Sequence, residues 1–245
     1  MKKLYYDLHI HSCLSPCGDD DNTPNNIAGM AKISGLDIVA LTDHNTSKNC
    51  PAFFEAAKRY DIIPIPGMEL TTSEDIHVVC LFENLDDAMR FDDYVDNNRV
   101  KIKNKPTIFG NQRVLNGMDE PVMEVEALLI SATNISITDV SKIVASFGGV
   151  CYPAHIDRES NGIIAILGSL PSDTVFTFYE LNDKTNIEKY STLYGIDKES
   201  FVISSDAHYL ADIKDRENYF EIEDRLQDHD AIRSRLFNIL RRRET

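Results

Sequence analysis

The feature that most constrains this chain is a pair of histidines, His9 and His11, that closes an apolar run near its start. If residues 3–10 form a strand, residues two apart point to the same face. The two imidazoles then stand side by side, where their neutral ring nitrogens can bind one divalent metal ion. A pair of hydrogen-bonded core histidines explains the motif equally well, so the pair alone does not decide between the two.

Other residues of the metal-ligand type stand at the ends of later apolar runs. They are His44 after residues 36–41, Glu69 after residues 62–65, His77 before residues 78–82, His155 after residues 150–152, and Asp206 with His208 after residues 201–203. Such residues at the ends of successive strands are typical of a parallel α/β barrel active site. The joint pattern predicts one shared site, whereas His229, on a predicted polar helix face, is expected at the surface.

The composition is that of a globular domain. A chain of 245 residues that is 42% hydrophobic and 27% charged fits one α/β barrel. It contains no signal-peptide pattern and no apolar run near the roughly 20 residues that cross a bilayer. Five scattered cysteines predict reduced thiols and a cytoplasmic location. Cys13, Cys17 and Cys50 lie near the candidate ligands, but without Cys-x-x-Cys spacing we expect small buried or loop residues.

The net charge of −15 argues against a broad nucleic-acid-binding face, since such a face needs clustered lysine and arginine. The tight basic cluster is confined to residues 241–243. A small anionic substrate stays possible, because divalent ions make a pocket locally positive. We therefore expect a small phosphorylated partner, such as a nucleotide or short oligonucleotide, and neither a long duplex nor a membrane.

Strand and helix patterns alternate along the chain, which indicates a parallel sheet or barrel. Helices are predicted over residues 25–34, 51–60, 85–95, 138–147, 163–167, 186–194 and about 226–240, with a strand over 174–179. The rhythm breaks at about residues 97–136, a segment with several glycines and a proline. We interpret it as an inserted cap in a single domain of residues 1–245, with a connection of no function as the alternative.

Taken in order, these motifs resemble one known family, the PHP (polymerase and histidinol phosphatase) metallophosphoesterases. The resemblance rests on DLHIHS at 7–12, an Asp-rich loop before Thr23-Pro24, TDHN at 42–45, PGMEL at 66–70, His77, YPAH at 152–155 and SSDAH at 204–208. The insert is similar to the branch that includes nucleoside-monophosphate phosphatases and short-RNA 5′ exonucleases. The resemblance implies an α/β fold, a distorted (β/α)7 barrel with a small inserted subdomain.

The resemblance also implies up to three metal ions at the ends of the strands. Its ligand sets are His9, His11, Glu69 and Asp206 for one ion, Glu69, His77 and His155 for a second, and His44, His208 and an aspartate of the first loop for a third. Anchoring on Thr23-Pro24 selects Asp19 for that aspartate, with Asp20 as the alternative. Mixed imidazole and carboxylate donors suit Mn²⁺, Fe²⁺ or Zn²⁺ better than Mg²⁺ or Ca²⁺.

Such a site is expected to hydrolyse a phosphate ester through a metal-activated hydroxide that attacks phosphorus. Glu69, Asp206 and His208 are the candidate catalytic residues. Arg158, three residues past His155, is the candidate phosphate clamp, ahead of Arg99 and Arg113. Asp43 is a candidate for orienting a ligand imidazole, or else it caps a loop.

Two other functions stay open. An amidohydrolase-type enzyme, acting on an amide or lactone, also begins with His-x-His, but that class normally carries a bridging carboxylated lysine where this chain has Glu69. The other alternative is a non-catalytic metal-binding PHP module. A full ligand set argues against it, since a domain that only binds a partner does not need one.

Overall fold

The computed structural model describes residues 1–171, 176–223 and 228–242. In chain order the strands are β1 (Lys2–Ile10), β2 (Ile38–Leu41), β3 (Ile63–Thr71), β4 (His77–Leu81), β5 (Arg113–Leu115), β6 (Pro121–Glu124), β7 (Val150–Pro153), β8 (Tyr179–Leu181), β9 (Phe201–Ile203) and β10 (Tyr219–Ile222). The helices are α1 (Pro24–Ile33), α2 (Cys50–Tyr60), α3 (Leu85–Asn98), α4 (Pro106–Phe109), α5 (Val140–Ser146), α6 (Ile163–Leu167), α7 (Ile187–Tyr194) and α8 (His229–Leu240).

The main sheet has six strands in the order β10-β1-β2-β3-β4-β7. β1, β2 and β3 are parallel and joined by helices, as the alternating pattern predicts. β4 instead runs antiparallel to both β3 and β7. The connection between β3 and β4 is too short for a crossover helix, so the two strands form a hairpin. Strict βα alternation is therefore wrong for this part of the chain.

The sheet curls into a half-barrel that a separate pair of parallel strands, β8 and β9, helps to close. An isolated bridge joins Ile10 at the end of β1 to Ala207 beyond β9, and the backbone N–H of Ile156, after β7, donates to the Glu180 carbonyl. The described residues thus form a mixed α/β fold with a curled six-stranded sheet. The predicted count of seven βα units is not seen in that sheet.

One of the buried apolar clusters lies inside this half-barrel. Alternate β1 residues, Leu4, Tyr6 and Leu8, face it together with apolar residues of β2, β3, β4 and β9. Helix α8 packs against the same cluster through Leu236 and Leu240. Since successive strand residues point to opposite faces, this packing fixes which side chains of each strand are turned inward.

Most predicted elements are confirmed with shifted ends, and three differences matter. β3 does not end at Ile65 but runs on to Thr71, which places Glu69 within a strand. Strand β10, whose residues Tyr219 to Ile222 were given no strand by the sequence pattern, pairs with the start of β1. The first residues of the strand predicted over 174–179, and the start of the final helix at 226–227, lie outside the described residues.

Residues 97–136 contain α4 and the hairpin of β5 and β6. The segment packs on the first loop through a small apolar cluster of Leu14, Val114, Val125 and Leu129. The Asn49 side chain, at the start of α2, donates to the Arg113 carbonyl at 3.1 Å and accepts from the Leu115 N–H at 2.9 Å. The segment therefore lies over the loop that follows β1. Its role as an inserted cap stays a prediction.

Among the described residues, every helix falls short of the length and apolar character that a bilayer span requires.

Candidate metal centre

Glu69 lies at the centre of the predicted site, on β3, with a side chain that is 1% exposed. Five imidazoles surround its two carboxylate oxygens. Oε1 is 2.9 Å from His77 Nδ1, 3.0 Å from His155 Nε2 and 3.4 Å from His9 Nε2, and Oε2 is 3.0 Å from His44 Nδ1 and 3.3 Å from His11 Nε2. The strand ends thus bring together residues that are far apart in the sequence.

Asp206 supplies a second buried carboxylate on the side of β1. Its Oδ1 lies 3.1 Å from His11 Nε2, 3.3 Å from His9 Nε2 and 3.6 Å from His208 Nδ1. Three overlapping groups result, each with ligand atoms within 4.8 Å of one another. They are His9, His11, Glu69 and Asp206; His44, Glu69 and His77; and His11, His44 and His208.

The imidazole nitrogens and carboxylate oxygens of the centre are better arranged to bind divalent metal ions than to form hydrogen bonds with one another. The Nε2 atoms of His9 and His11 lie only 3.1 Å apart, although both also face carboxylates. The buried Nδ1 of His44 lies 3.0 Å from Glu69 Oε2 without the alignment of a hydrogen bond. Ring nitrogens and carboxylate oxygens that converge without saturating one another are suited to a shared cation, which accepts all of their lone pairs.

The backbone is strained at two of the converging residues. His155 has φ of 28° and Asp206 has φ of 53°, both in the left-handed region that residues other than glycine rarely adopt. Such strain persists where surrounding contacts enforce it, and it concentrates at functional sites. His155 lies two residues beyond β7 and Asp206 three residues beyond β9, and their side chains contact Glu69 and His11, respectively.

The carboxylates alter the protonation of the histidines. Burial alone would lower the pKa of His11, but its hydrogen bonds with Asp206 and Glu69 outweigh burial and raise that pKa to about 9. His44, next to Glu69, likewise has its pKa raised to about 9 against the effect of burial. Burial would raise the pKa of Glu69, yet the imidazoles, His77 and His9 foremost, hold it well below the usual range. Glu69 and the imidazoles of His11 and His44 therefore stabilise one another's charged forms.

His208 differs from the other histidines. Its pKa is lowered to about 3 because burial and the neighbouring charge of His11 both disfavour the imidazolium. Its side chain is also 22% exposed, so it forms part of the mouth of the site. A neutral imidazole at this position is ready to accept a cation without losing a proton.

Glu180, which the sequence reasoning missed, orients the fully buried ligand His9. Its Oε2 lies 2.9 Å from His9 Nδ1 and accepts the backbone N–H of His155 at 3.1 Å. A carboxylate on the outer nitrogen orients a metal-binding imidazole and raises its basicity. Glu180 lies in β8, next to the predicted strand 174–179, so the strand-end signal that selected Asp206 could have found it.

Asp43 acts on His11 through Ser15. The Ser15 hydroxyl donates to Asp43 Oδ1 at 2.7 Å, and Ser15 Oγ also lies 2.9 Å from His11 Nδ1. Asp43 also accepts the N–H and hydroxyl of Ser12, both at 2.7 Å. The Asp43 carboxylate therefore has contacts that suit both predicted roles, because it holds the loop through Ser12 and reaches His11 through Ser15.

Arg158 lines the small pocket, of about 270 Å³, that opens on the centre. Its guanidinium pairs with Asp206 Oδ2 and faces the Asn182 carbonyl oxygen, in the amide orientation that satisfies both groups. The side chain is 41% exposed, so an incoming anion can reach it. The weaker candidates lie elsewhere, since Arg99 pairs with Asp96 and Arg113 pairs with Asp20.

Asp19, the ligand predicted in the first loop, makes its hydrogen bonds with the backbone of Asp21 and His208. Asp19 donates its backbone N–H to the His208 carbonyl at 2.9 Å, and its Oδ1 accepts the Asp21 N–H at 2.9 Å. It belongs to none of the three groups among the described residues, and its role as a ligand stays a prediction. His229 pairs with Asp61 at 3.3 Å, away from the centre, as expected.

Sequence comparison places the chain among proteins of two kinds. It is 34% identical over 88 residues to an uncharacterised protein of Methanocaldococcus jannaschii, covering 33% of this chain and 51% of that one. It is 29% identical over 161 residues to the PolC-type DNA polymerase III of Mycoplasma genitalium, covering 58% of this chain and 10% of the polymerase. The match thus spans about half of the first relative's length and a small part of the second's.

Solved structures resemble the fold at low sequence identity. The lesion-specific endonuclease Q of Pyrococcus furiosus has a TM-score of 0.66 at 18% identity, covering 99% of this chain and 57% of that one. Endonuclease Q bound to a 27-mer duplex with an abasic lesion at its active site has a TM-score of 0.58 at 17% identity, covering 85% and 50%.

Two further structures match most of their own length. An amidohydrolase of Chromobacterium violaceum has a TM-score of 0.57 at 17% identity, covering 90% of this chain and 92% of that one. A proposed metal-dependent phosphoesterase of Bifidobacterium adolescentis has a TM-score of 0.53 at 16% identity, covering 96% of both chains. At these identities the likeness concerns the fold. The PHP domain model, by contrast, matches the sequence itself over residues 7–227, and the chain therefore belongs to the PHP domain family.

Proposed function

We propose that this protein is a metal-dependent phosphoesterase that hydrolyses a small phosphate monoester or a nucleotide, with the 5′ end of a short RNA as one candidate substrate. The observation that carries the proposal is the set of five imidazoles around the Glu69 carboxylate. Imidazole and carboxylate donors in this combination suit Mn²⁺, Fe²⁺ or Zn²⁺. Divalent ions lower the pKa of water and offset phosphoryl charge, which is the chemistry that phosphate ester hydrolysis needs.

We assign three overlapping ligand sets. His9, His11, Glu69 and Asp206 hold one ion, Glu69, His77 and His155 hold a second, and His44 and His208 belong to a third. The short distances from Glu69 to His77 and His155 support its role as the shared ligand of the first two sets. Asp206 and His208, which line the pocket, are the other two residues that we propose to take part in catalysis.

Arg158 is the proposed phosphate-binding residue. Its guanidinium lines the pocket beside His155 and Asp206 and is half-exposed, so it can bind a phosphoryl oxygen that enters from solvent. The ion pair with Asp206 keeps it at the centre until a substrate arrives. Glu180 meanwhile holds His9 in one ring orientation, which keeps Nε2 directed at the site.

The pocket favours a small substrate. The small number of residues that line it and the chain's net charge of −15 support this preference. The expectation that a long duplex is excluded has no support from the comparisons, because a protein of similar fold binds a 27-mer duplex. A duplex therefore belongs among the substrates to be tested.

The test starts from protein stripped with a chelator and reloaded with Mn²⁺, Fe²⁺ or Zn²⁺. We expect metal-dependent hydrolysis of an aryl phosphate and of at least one nucleoside monophosphate or short RNA. His9→Ala is the matched inactive control, and His229→Ala, at the surface, is the control for histidine loss in general. A fully metal-loaded protein that is inert towards all phosphate esters would contradict the proposal.

Two outcomes would point to the other functions. Hydrolysis of an amide or lactone without phosphatase activity would favour an amidohydrolase-type enzyme. Tight metal binding with no hydrolysis of any ester or amide would favour a non-catalytic metal-binding module.

We also propose that residues 97–136 select the substrate, since they pack on the loop beside the centre.

A further inference from the structure

Asn45 directly follows His44 and connects the backbones of two proposed metal ligands. Its N–H donates to the Glu69 carbonyl at 2.9 Å, and its side-chain Oδ1 accepts the Thr71 N–H at 2.9 Å. An isolated parallel bridge also joins His44 to Glu69. The loop after β2 is therefore bound to β3 at the point where Glu69 enters the centre. These bonds set the position of His44, whose Nδ1 lies 3.0 Å from Glu69 Oε2.

The nitrogen of the same side-chain amide binds the segment 97–136. Asn45 Nδ2 donates to the Leu129 carbonyl at 2.5 Å and to the Ser131 carbonyl at 3.0 Å. Together with the bond to Oδ1, these contacts use both N–H groups and the oxygen of the amide. Because Asn45 is buried, the loss of any of them would leave a polar group without water or a partner.

The surroundings of residue 45 select asparagine. Its backbone has φ of 51°, in the left-handed region where asparagine is several-fold enriched among residues other than glycine. Nδ2 faces two carbonyl oxygens, which only accept, and Oδ1 faces an N–H group, which only donates. An aspartate would place a carboxylate oxygen against the two carbonyls, and a glycine would keep the backbone conformation but none of the side-chain contacts.

Gln112 holds the segment from its own side. This fully buried side chain accepts the Leu129 N–H at 2.9 Å and donates to the carbonyls of Val125 at 2.6 Å and Ala127 at 3.0 Å. Both polar groups of the Leu129 backbone are thus bound by side-chain amides, the N–H by Gln112 and the carbonyl by Asn45. A continuous set of buried hydrogen bonds therefore runs from the interior of the segment to the loop beside the centre.

We infer that Asn45 is a positioning residue through which the segment 97–136 supports the metal centre, with His44 as the ligand that it holds in place. The inference rests on the proposed metal centre and deepens it. Without the Asn45 contacts, the loop that carries His44 can move relative to Glu69. The ion that His44 holds is then bound less tightly, because a metal ligand acts only in the correct orientation.

The test measures metal affinity and amide hydrogen exchange in one set of variants. Zn²⁺ is titrated against a competing chelator, and exchange is followed by mass spectrometry over residues 126–133. Asn45→Gly removes all the side-chain contacts, whereas Asn45→Asp keeps the bond with Thr71 and loses those with the segment. Thr46→Val is the matched control, because it removes a buried hydrogen bond from the same loop to Asp92 on α3 and leaves the segment untouched.

Exchange over residues 126–133 should become faster in both Asn45 variants, and one Zn²⁺-binding step should weaken by about tenfold. Asn45→Asp serves alone if Asn45→Gly does not fold. Gln112→Asn, which tolerates the positive φ but is too short to reach Leu129, should weaken the same step to a smaller extent. Thr46→Val should lower the melting temperature and change neither readout, as expected of a residue with a purely structural role.

The results that would overturn the inference differ from those that would overturn the proposed function. Faster exchange with unchanged Zn²⁺ affinity would show that Asn45 holds the segment without positioning a ligand, and the proposed phosphoesterase would stand. An equal loss of affinity in Thr46→Val would trace the effect to the loop as a whole, with the same consequence. A wild type that binds no Zn²⁺ would refute the metal centre itself, and the inference with it.

Discussion

The centre has two halves that are built differently. The strand half, formed by His9, Glu69, His77 and Glu180, is carried by residues inside β1, β3, β4 and β8. The loop half, formed by His11, His44, His155, Arg158, Asp206 and His208, lies on the turns that follow the strands. The sheet register fixes the first half, whereas hydrogen bonds and strained backbone fix the second.

The two halves also differ in solvent access. The side chains of His9 and Glu180 are fully buried, whereas those of His208 and Arg158 are 22% and 41% exposed. His9 and Glu180 are positioned to keep their geometry with or without a ligand, while the exposed side chains of His208 and Arg158 can adapt to a substrate. Both halves contribute proposed metal ligands, and the exposed part of the loop half is where a substrate makes contact.

The largest effect is expected at the residue that joins the strand half to the loop half. Glu69→Gln should reduce activity and metal affinity by more than about 100-fold, because even residues that only orient a ligand are worth about 10- to 100-fold. Metal analysis and the hydrolysis rate at saturating metal measure it. A variant that keeps its metal and half of its activity would show that Glu69 is not a metal ligand.

Glu180→Gln tests the strand half without touching a proposed ligand. Loss of the negative charge behind His9 should weaken metal affinity by about 10- to 100-fold while the loaded enzyme keeps most of its activity. Competition with a fluorescent chelator gives the affinity. Glu188→Gln, which removes a surface carboxylate paired with Lys198, is the control and should change nothing.

Metal binding should release protons at neutral pH. His11 and His44 have a pKa of about 9 in the metal-free protein, so both are mostly protonated at pH 7 and must lose a proton to bind a cation. Affinity should therefore rise with pH up to about 9, by about tenfold per unit for each displaced proton. Calorimetry in two buffers of different ionisation enthalpy counts the protons. A pH-independent affinity would contradict the prediction.

Arg158→Gln should affect the loop half alone. Loss of one charge-assisted hydrogen bond, worth about 1.5 kcal/mol at a half-exposed position, should raise KM for a phosphate ester by roughly tenfold. The metal content should be unchanged. If the variant instead loses metal, the ion pair with Asp206 serves to hold a ligand and not to bind phosphate.

Asp20→Asn should have the smallest effect. Asp20 is exposed and pairs with Arg113, and surface substitutions of this kind change stability by about 0.5 kcal/mol or less. Metal content and activity should match those of the wild type. Loss of a metal ion would show that the first loop rearranges when the centre is loaded.

The sequence predicted the strand half only in part, for a physical reason. The alternation of side chains along β1 placed His9, but Glu69 was expected just after a strand that in fact continues to Thr71. The antiparallel direction of β4 was missed, because a strand that is buried on both faces has the same apolar pattern whether it runs parallel or antiparallel to its neighbours. Glu180 was missed because the strand that carries it was predicted to end too early.

The loop half was predicted in its residues but not in its arrangement. Nothing in the apolar pattern reports that Asp206 adopts a left-handed backbone or that the Asp19 carboxylate accepts the Asp21 N–H within its own loop. These features depend on contacts between segments that are distant in the sequence. They are consequences of tertiary structure and leave no local periodicity.

The bridge between the end of β1 and the segment after β9 has a consequence for the order of folding. The Leu8 N–H donates to Ser204 Oγ across 196 residues, and the His11 N–H donates to the Ala207 carbonyl. Contacts of such long range form late, because the loop-closure entropy must be overcome before they contribute. A growing chain therefore carries its first histidines long before Asp206 exists to complete their ligand set. Metal capture should come at the end of folding and lock a topology that is already closed.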